Sequence, residues 1–356
     1  MVRDLDWQLL VGVGVIAAAG LLSLSAADTD LFSRQLAWFG IGSVLAAMLF
    51  FFDWRPFLNY RGMLLGIYII FLLLLIATLF AAPIRGTRAW LSFSGFQFQP
   101  SEFMKIILIL LYANFFRHAH VSIARPLRII QSLIYVALPI AIITLEPDMG
   151  SALTLVAIWF GFLLVSGIRW RHLFITILIM AIAAVVVWHG ALQLYQKERI
   201  VGFLATGHDP LGVNYNVIQS KIAVGSAGWW GKGYAQGTQS RLGFLPEAKT
   251  DFIFAAFIEE WGIIAGLILV TAFIFVIFRV VALGLRTHNN FNRFLCLGAV
   301  IYWTTQFALN VGSTIGLVPV VGITFPFLSY GGSSILTNMA LLGMIESVAA
   351  RRSLSA

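Results

Sequence analysis

About ten apolar stretches run along this chain, each close to the roughly 20 residues that a helix needs to cross a membrane. They lie near 7–25, 35–52, 62–81, 101–116, 129–145, 150–167, 172–190, 252–278, 294–313 and 331–349. Hydrophobic residues make up 60% of the 356 residues and charged residues 11%, whereas soluble domains are about half apolar and a quarter charged. The sequence therefore predicts a single all-α, polytopic membrane domain over 1–356.

The basic residues of the connecting loops predict the orientation in the membrane. Alternate loops carry Arg3, Arg55, Arg61, Arg117, Arg125, Arg128, Arg169, Arg171, Arg279, Arg286, Arg293, Arg351 and Arg352. An excess of Lys and Arg marks the cytoplasmic side, so both termini are expected there. This distribution explains the net charge of +8 without nucleic acid as a partner.

The loops of the opposite face carry cations that orientation does not require. They are concentrated in an amphipathic segment at 82–100 and in a large extracytoplasmic loop at 191–250, between the seventh and eighth predicted helices. These cations are Arg85, Arg88, Lys197, Arg199, Lys221, Lys232, Arg241 and Lys249. We expect them to bind an anionic ligand on the outer face.

Asp251 ends the polar loop and directly precedes an apolar run. An ionisable group at membrane depth indicates a functional site, although an aspartate here also suits a helix N-cap. Glu259 and Glu260 lie two turns further along the same helix and are expected to tie helices together through polar partners. Asp148 has the same two interpretations, a helix cap or a carboxylate over the outer cleft.

Three further stretches carry polar or unusual patterns. Glu102 and Lys105 are three residues apart, so they share one helix face and can pair. The stretch 219–233, QSKIAVGSAGWWGKG, predicts a helix followed by a glycine-rich loop, and such loops present N–H groups to anions. The apolar but Gly- and Pro-rich stretch at 314–330 predicts a re-entrant wall, because non-helical backbone at membrane depth must be buried or line a cavity.

At these residues the chain resembles the SEDS family (shape, elongation, division and sporulation). The matching blocks are FQPSEFMKI, EPDMGS, QSKIAVGSAGWWGKG, GTQSRLGFLPEAKTDFIFAAFIEEWG and PVVGITFPFLSYGGSS, in order over essentially the whole chain. GTQSRLGFLPE is closer to the elongation (RodA) branch than to the division (FtsW) branch.

The resemblance implies a peptidoglycan glycosyltransferase that joins lipid II units at the outer face of the bacterial inner membrane. Its catalytic carboxylate is the aspartate of TDFIF, here Asp251. The same matching places Glu102, Lys105, Asp148, Arg199 and Lys232 in the family's outer cavity. The further candidates for substrate binding are Arg85, Arg88, Lys249 and Gln219. The implied partners are lipid II, the growing lipid-linked glycan, membrane lipid and a class B penicillin-binding protein.

In the mechanism that we expect, Asp251 is the general base on the acceptor hydroxyl, and cations stabilise the leaving lipid pyrophosphate. A divalent ion, Mg²⁺ or Mn²⁺, can share that task, since Mg²⁺ needs only one or two carboxylates beside phosphate. The sequence contains no cluster of Cys and His residues with the spacing of a zinc site, so zinc is not expected. The alternatives are a lipid II flippase, a division-type member of the family, and a scaffold without chemistry of its own.

Overall fold

The computed structural model describes residues 5–52, 60–84, 86–93, 96–119, 126–205, 212 and 214–352. In this part of the chain the fold is helical, apart from one short hairpin. The helices are α1 (Trp7–Ala27), α2 (Thr29–Phe51), α3 (Arg61–Thr78), α4 (Pro100–Ala119), α5 (Pro126–Leu145), α6 (Met149–Val165), α7 (Trp170–Gly190), α8 (Leu194–Leu204), α9 (Tyr215–Ser226), α10 (Thr238–Arg241), α11 (Ile253–Leu285), α12 (Asn290–Ile315) and α13 (Gly332–Arg352).

Each apolar stretch predicted to cross the membrane forms a helix. Among the described residues, seven helices are long and apolar enough to span: α1, α2, α5, α7, α11, α12 and α13. The helices α3 and α6 are apolar but shorter, and α4 carries Glu102 and Lys105 near its start. The predicted class, an all-α polytopic membrane protein, is confirmed.

Side-chain caps explain where several helices begin. Asp6, Asp28 and Asp148 each stand directly before a helix and accept main-chain N–H groups of its first turn, which satisfies donors that would otherwise have no partner. The helix α2 begins at Thr29, six residues before the apolar run predicted to begin at 35. The Asp28 cap allows the helix to include this polar first turn.

The bundle core is built by α4, α11, α12 and α13, around which the other spans pack. α2 lies along α13, α1 along α11, and α12 between α11 and α4. The helix α7 lies at the periphery, and Thr176 is its one buried residue. One end of the bundle is formed by the described parts of 79–98, 146–148, 191–250 and 316–331, and we name this end the loop-rich face.

The described part of the amphipathic segment at 82–100 contains a short antiparallel hairpin. Its strands are β1 (Leu91–Phe93) and β2 (Phe96–Phe98), with Leu91 opposite Phe98. The hairpin leads directly into α4, which begins at Pro100, where proline is well tolerated because the first N–H groups of a helix have no intrahelical partner.

The predicted single span at 252–278 is wrong in one respect, because α11 is broken at Gly262. This residue has φ 87° and ψ 171°, a conformation that glycine adopts and other residues rarely do. The main-chain N–H groups of Ile263 and Ile264 bond to the carbonyls of Gly228 and Trp229 across the break. Glu259 and Glu260 consequently lie in a short first helix beside the 228–241 segment, and not deep in a continuous span.

A polar cluster ties three helices together at the other end of the bundle. Arg279 of α11 pairs with Asp6 at 2.7 Å, and the main-chain N–H of Asp6 donates to Glu346 of α13 at 2.9 Å. Because Asp6 and Glu346 are buried, these contacts fix α1, α11 and α13 relative to one another.

Candidate active site around Asp251

Asp251 stands on the loop-rich face, one residue before the cap of α11. The N-cap is Phe252, which makes no side-chain cap hydrogen bond, so the interpretation of Asp251 as the helix N-cap is wrong. Its main-chain oxygen accepts a hydrogen bond from the Asn310 amide at 2.9 Å. A Cβ placed on Gly322 would lie 3.7 Å from Asp251 Oδ2, so the half-buried carboxylate lies against a residue without a side chain.

Residues 316–331 form no helix and pass beside Asp251; the stretch predicted to be re-entrant is 314–330, and its first two residues belong to α12. We name residues 316–331 the wall. The hydroxyl of Ser329 donates to the Thr250 carbonyl at 2.7 Å, and the N–H of Tyr330 donates to the Lys249 carbonyl at 3.0 Å. One side chain and one main-chain N–H of the wall thus bond to the main chain of residues 249 and 250, which limits the movement of Asp251.

The wall is anchored in turn by Gln35, a fully buried residue of α2. The Gln35 amide donates to the Ser329 carbonyl at 2.9 Å and accepts from the N–H of Gly331 at 3.3 Å. On the other side Gly150, at the start of α6, lies so close that a Cβ there would be 2.6 Å from the carbonyl oxygen of Val321. These contacts hold the wall between α2 and α6.

Lys249, predicted to bind substrate, forms an ion pair with Asp28 at 2.9 Å. The hydrogen bond from Lys249 holds the pKa of Asp28 below its usual range, and the α2 N–H groups that Asp28 caps act in the same direction. The positive charge of Lys249 is therefore balanced within the protein, and the pair connects the α1–α2 turn to the segment that carries Asp251.

Lys232, another predicted substrate contact, pairs with the fully buried Glu259 at 2.7 Å. Glu259 also accepts hydrogen bonds from Thr238, the N–H of Gln239 and both donors of Ser240. The expectation that Glu259 ties segments together through polar partners agrees with these contacts. The Lys232 side chain keeps 25% of its surface exposed.

The glycine-rich loop after α9 binds the protein's own backbone. The N–H groups of Lys232 and Gly233 donate to the carbonyls of Glu259 and Glu260 at 2.9 and 3.0 Å. A Cβ on Gly231 would lie 2.2 Å from the Glu260 carbonyl oxygen. The expectation that these N–H groups face an anion is therefore wrong for Lys232 and Gly233, and the glycines are needed for close approach to the α11 break.

A second polar group lies at the starts of α4 and α6. Lys105 and Glu102 pair at 2.6 Å with both side chains buried, as predicted, and Tyr302 donates to the other Glu102 oxygen at 3.4 Å. Asp148 caps α6 through the N–H of Ser151 at 3.0 Å and accepts from the Gln99 amide at 3.2 Å. The interpretation of Asp148 as a helix cap is confirmed, and its second oxygen faces Gln99 outside the helix.

Arg199 lies on α8 and lines a cavity of about 60 Å³ against the wall. Its guanidinium donates to the Val320 carbonyl at 3.4 Å and lies 5.6 Å from the ring centre of Tyr195. Lys221 of α9 lines the same cavity. Both cations are exposed, and they face this cavity together.

The remaining predicted contacts lie elsewhere on the loop-rich face. Gln219 is a half-buried residue of α9, and Arg88 is exposed and donates to the Leu79 carbonyl at 3.1 Å. Arg85 lies outside the described residues. Within the part that is described, no group of three or more His, Cys, Asp or Glu is placed to hold a metal ion.

Sequence reasoning missed the residues that support Asp251, namely Asn310, Ser329 and Gln35. Each is polar, sits in an apolar surrounding and is almost fully buried. A polar side chain in a membrane helix commonly forms interhelical hydrogen bonds. The sequence could therefore have predicted that Asn310 and Gln35 bond to another segment. Their partners were not evident, because both bond to main-chain atoms of the wall.

These features define a class: a multi-pass membrane protein with a carboxylate held between helix ends and a non-helical wall. Residues 5–354 match the family of FtsW, RodA and SpoVE, described as cell cycle proteins. The chain belongs to this family, the SEDS proteins.

Relatives and solved structures agree over nearly the full length. The peptidoglycan glycosyltransferase MrdB of Escherichia coli K12 is 33% identical over 352 residues, which cover 97% of this chain and 92% of that protein. A protein of a peptidoglycan synthase complex, described as coordinating polymerization and crosslinking, is 32% identical with a TM-score of 0.82 and 98% of both chains covered. The crystal structure of the rod shape determining protein RodA of Thermus thermophilus gives 28% identity and a TM-score of 0.72, over 98% of this chain and 97% of that one.

Proposed function

We propose that this protein is a peptidoglycan glycosyltransferase that joins lipid II units into glycan strands for cell elongation. The observation that carries the proposal is the carboxylate of Asp251, held against the wall at one end of a membrane-spanning bundle. The names of the similar proteins, a peptidoglycan glycosyltransferase and a rod shape determining protein, support the same activity and the elongation role.

Asp251 acts as the general base in this proposal. It takes the proton from the acceptor sugar hydroxyl while that oxygen attacks the anomeric carbon of the donor, and the lipid pyrophosphate leaves. An α-linked donor gives a β-linked product, so one displacement with inversion suffices and no second carboxylate nucleophile is needed. Asn310 and Ser329 fix the main chain on both sides of the base, which keeps its geometry constant during the reaction.

Arg199 is our first candidate for stabilising the departing undecaprenyl pyrophosphate. It is exposed, lines the cavity beside the wall together with Lys221, and forms its described contacts with a carbonyl and an aromatic ring. Lys232 and Lys249 each bond to a carboxylate, so their charge is partly neutralised. Arg88 and the buried Glu102–Lys105 pair are proposed to contact the sugar or peptide parts of the substrate.

A divalent cation, Mg²⁺ or Mn²⁺, is part of the proposal because the leaving group is a pyrophosphate. The phosphate oxygens of the leaving group would supply the main ligands of this ion. Such an ion would neutralise charge on the leaving group. Removal of divalent ions with a chelator should reduce polymerisation and addition of Mg²⁺ should restore it, while unchanged activity in chelator would exclude the ion.

We propose that the loop-rich face is the outer face of the bacterial inner membrane and that both termini are cytoplasmic. A class B penicillin-binding protein is the proposed partner, because a similar chain belongs to a complex that coordinates polymerization with crosslinking. The proposed substrates are lipid II and the growing lipid-linked glycan.

The rival function is a lipid II flippase, with Glu102, Lys105, Glu259 and Glu260 as the polar path. The contacts favour the enzyme, because Glu102 and Glu259 bond to cations and hydroxyls on the loop-rich face. The test is polymerisation of lipid II by purified protein in detergent, where there are no two sides to transport between. Glycan products longer than a dimer are expected, and their complete absence in the presence of the partner would contradict the proposal.

A further inference from the structure

Glu146 lies at a junction of several segments of the loop-rich face, although its side chain is fully buried. It follows α5 and, with Pro147 and Asp148, forms the turn into α6. Its carboxyl oxygen Oε1 contacts the hydroxyl of Thr78 at the end of α3. Its main-chain oxygen accepts the N–H of Arg88 at 3.4 Å. The Glu146 side chain thus holds the turn against α3, and its main chain holds the turn against the segment after α3.

The same turn fixes α8 and the start of α4. The amide of Gln196 on α8 donates to the Pro147 carbonyl at 3.0 Å, and the amide of Gln99 donates to Asp148 at 3.2 Å. Since α8 carries Arg199, any shift of the 146–148 turn changes where this cation and Asp148 stand.

The hydrogen bonds of the Thr78 hydroxyl indicate the protonation state of Glu146. The Thr78 hydroxyl oxygen lies 2.5 Å from both the Leu75 carbonyl oxygen and Glu146 Oε1. A hydroxyl donates one hydrogen bond, and a carbonyl can only accept. If Glu146 were ionised, one of the two close oxygen pairs would have no proton between them. Both contacts are satisfied when Thr78 donates to Leu75 and the Glu146 carboxyl donates to Thr78.

Burial and charge act in the same direction. Glu146 Oε2 is buried without a hydrogen-bond partner, and no cation pairs with this carboxyl among the residues that the structure describes. Burial is the largest cause and raises the pKa of Glu146 to about 8, and the negative charge of Asp148 acts in the same direction. A hydrogen bond donated by Thr78 to the ionised carboxylate acts in the opposite direction.

The other titratable and charged groups at the turn are directed elsewhere. The guanidinium of Arg88 donates to the Leu79 carbonyl, and the Tyr195 hydroxyl donates to the Pro147 carbonyl. Asp148 is therefore the one described charge that acts on the Glu146 carboxyl, and as an anion it favours the protonated form.

We propose that Glu146 is a positioning residue that works in its protonated form, donating a hydrogen bond to Thr78 and so holding Asp148 and α8 in place for the reaction. This inference rests on the proposed function. When the proton is lost, the single Thr78 proton cannot lie in both contacts. Either the Glu146–Thr78 contact or the Thr78–Leu75 contact is then broken, so the 146–148 turn shifts relative to α3 and polymerisation falls.

The test is the pH profile of lipid II polymerisation by wild type and Glu146→Gln, since a glutamine amide is neutral and can donate to Thr78. At pH 7 we expect Glu146→Gln to keep activity within about threefold of wild type. Above pH 8 wild type should lose about tenfold per pH unit, and Glu146→Gln should lack this decline. Glu198→Gln, the same change on the exposed face of α8, is the matched control and should follow wild type.

An inactive Glu146→Gln at pH 7, or parallel profiles for wild type and Glu146→Gln, would overturn the inference. Thermal unfolding provides a readout that does not need activity. Folded Glu146 keeps its proton to about pH 8, whereas unfolded glutamate loses it near pH 4.5. Between these two pH values the free energy of unfolding of wild type should therefore fall relative to that of Glu146→Gln. Above about pH 8 the difference should stay constant. A wild type that makes no glycan at any pH contradicts the proposed function, whereas a flat unfolding difference contradicts the role of Glu146.

Discussion

Asn310 donates a hydrogen bond from its side-chain amide to the main-chain oxygen of Asp251, at 2.9 Å. The same amide nitrogen donates to the carbonyl of Ile323 in the wall at 2.7 Å. One almost fully buried side chain of α12 therefore joins the segment that carries the proposed base to the wall beside it. The position of Asp251 depends on this contact as much as on the residues next to it in the chain.

Replacing Asn310 with leucine removes both hydrogen bonds while keeping a similar volume. Leaving buried carbonyls without a donor costs about 1–3 kcal/mol, so the unfolding temperature should fall. Polymerisation should fall at least about tenfold because misplacement of a catalytic group slows the reaction strongly. The measurement is the initial rate of glycan synthesis beside a thermal unfolding curve.

The matched control is Asn292→Leu, at the other end of α12, where Asn292 Oδ1 has no hydrogen-bond partner among the described residues. This variant should keep its polymerisation rate. Equal activity losses in the two variants would show that Asn310 has no special relationship to Asp251.

The Lys232–Glu259 pair predicts a recovery of stability in a double variant. Lys232→Met leaves the fully buried Glu259 without its cation, and breaking a buried pair in this way costs about 3–5 kcal/mol. Lys232→Met combined with Glu259→Gln removes both charges and should be more stable than Lys232→Met alone. Unfolding of the four proteins in a double-mutant cycle measures the coupling, and additive losses would refute a structural pair.

Adding a single methyl group at Gly262 should strongly reduce the stability of the protein. Its positive φ is unfavourable for alanine, and a Cβ there would lie 2.3 Å from the carbonyl oxygen of Trp229. We expect Gly262→Ala to lower the unfolding temperature and to separate the 228–233 loop from α11. Gly14→Ala, in a helix position where a Cβ meets no described atom within 4 Å, should be neutral or stabilising by up to about 1 kcal/mol. The same loss in both variants would contradict a specific contact at the α11 break.

The sequence predicted the membrane-spanning helices and the non-helical character of 316–331 because both depend on local composition. Apolar runs of membrane-spanning length form helices in α1 and α13 alike, and the Gly and Pro pattern of 316–331 excludes a helix. The Glu102–Lys105 pair followed from helix periodicity alone. All of these signals lie within a single segment.

Contacts between distant segments were beyond such reasoning. The pairing of Lys249 with Asp28, and of Lys232 with Glu259, depends on how α1, the 191–250 loop and α11 pack together. Each cation looked available for a ligand because its partner lies 221 or 27 residues away. The break at Gly262 was missed for the same reason, since the groups that complete its hydrogen bonds come from the 228–233 loop.

The most direct test of the central claim is the rate of lipid II polymerisation by purified Asp251→Asn, compared with wild type at equal concentration. Asparagine keeps the size and the main-chain contact to Asn310 but cannot accept a proton, so the account predicts an unchanged unfolding temperature and a rate lower by roughly 10²–10⁴. A folded Asp251→Asn protein that polymerises lipid II at nearly the wild-type rate would contradict it.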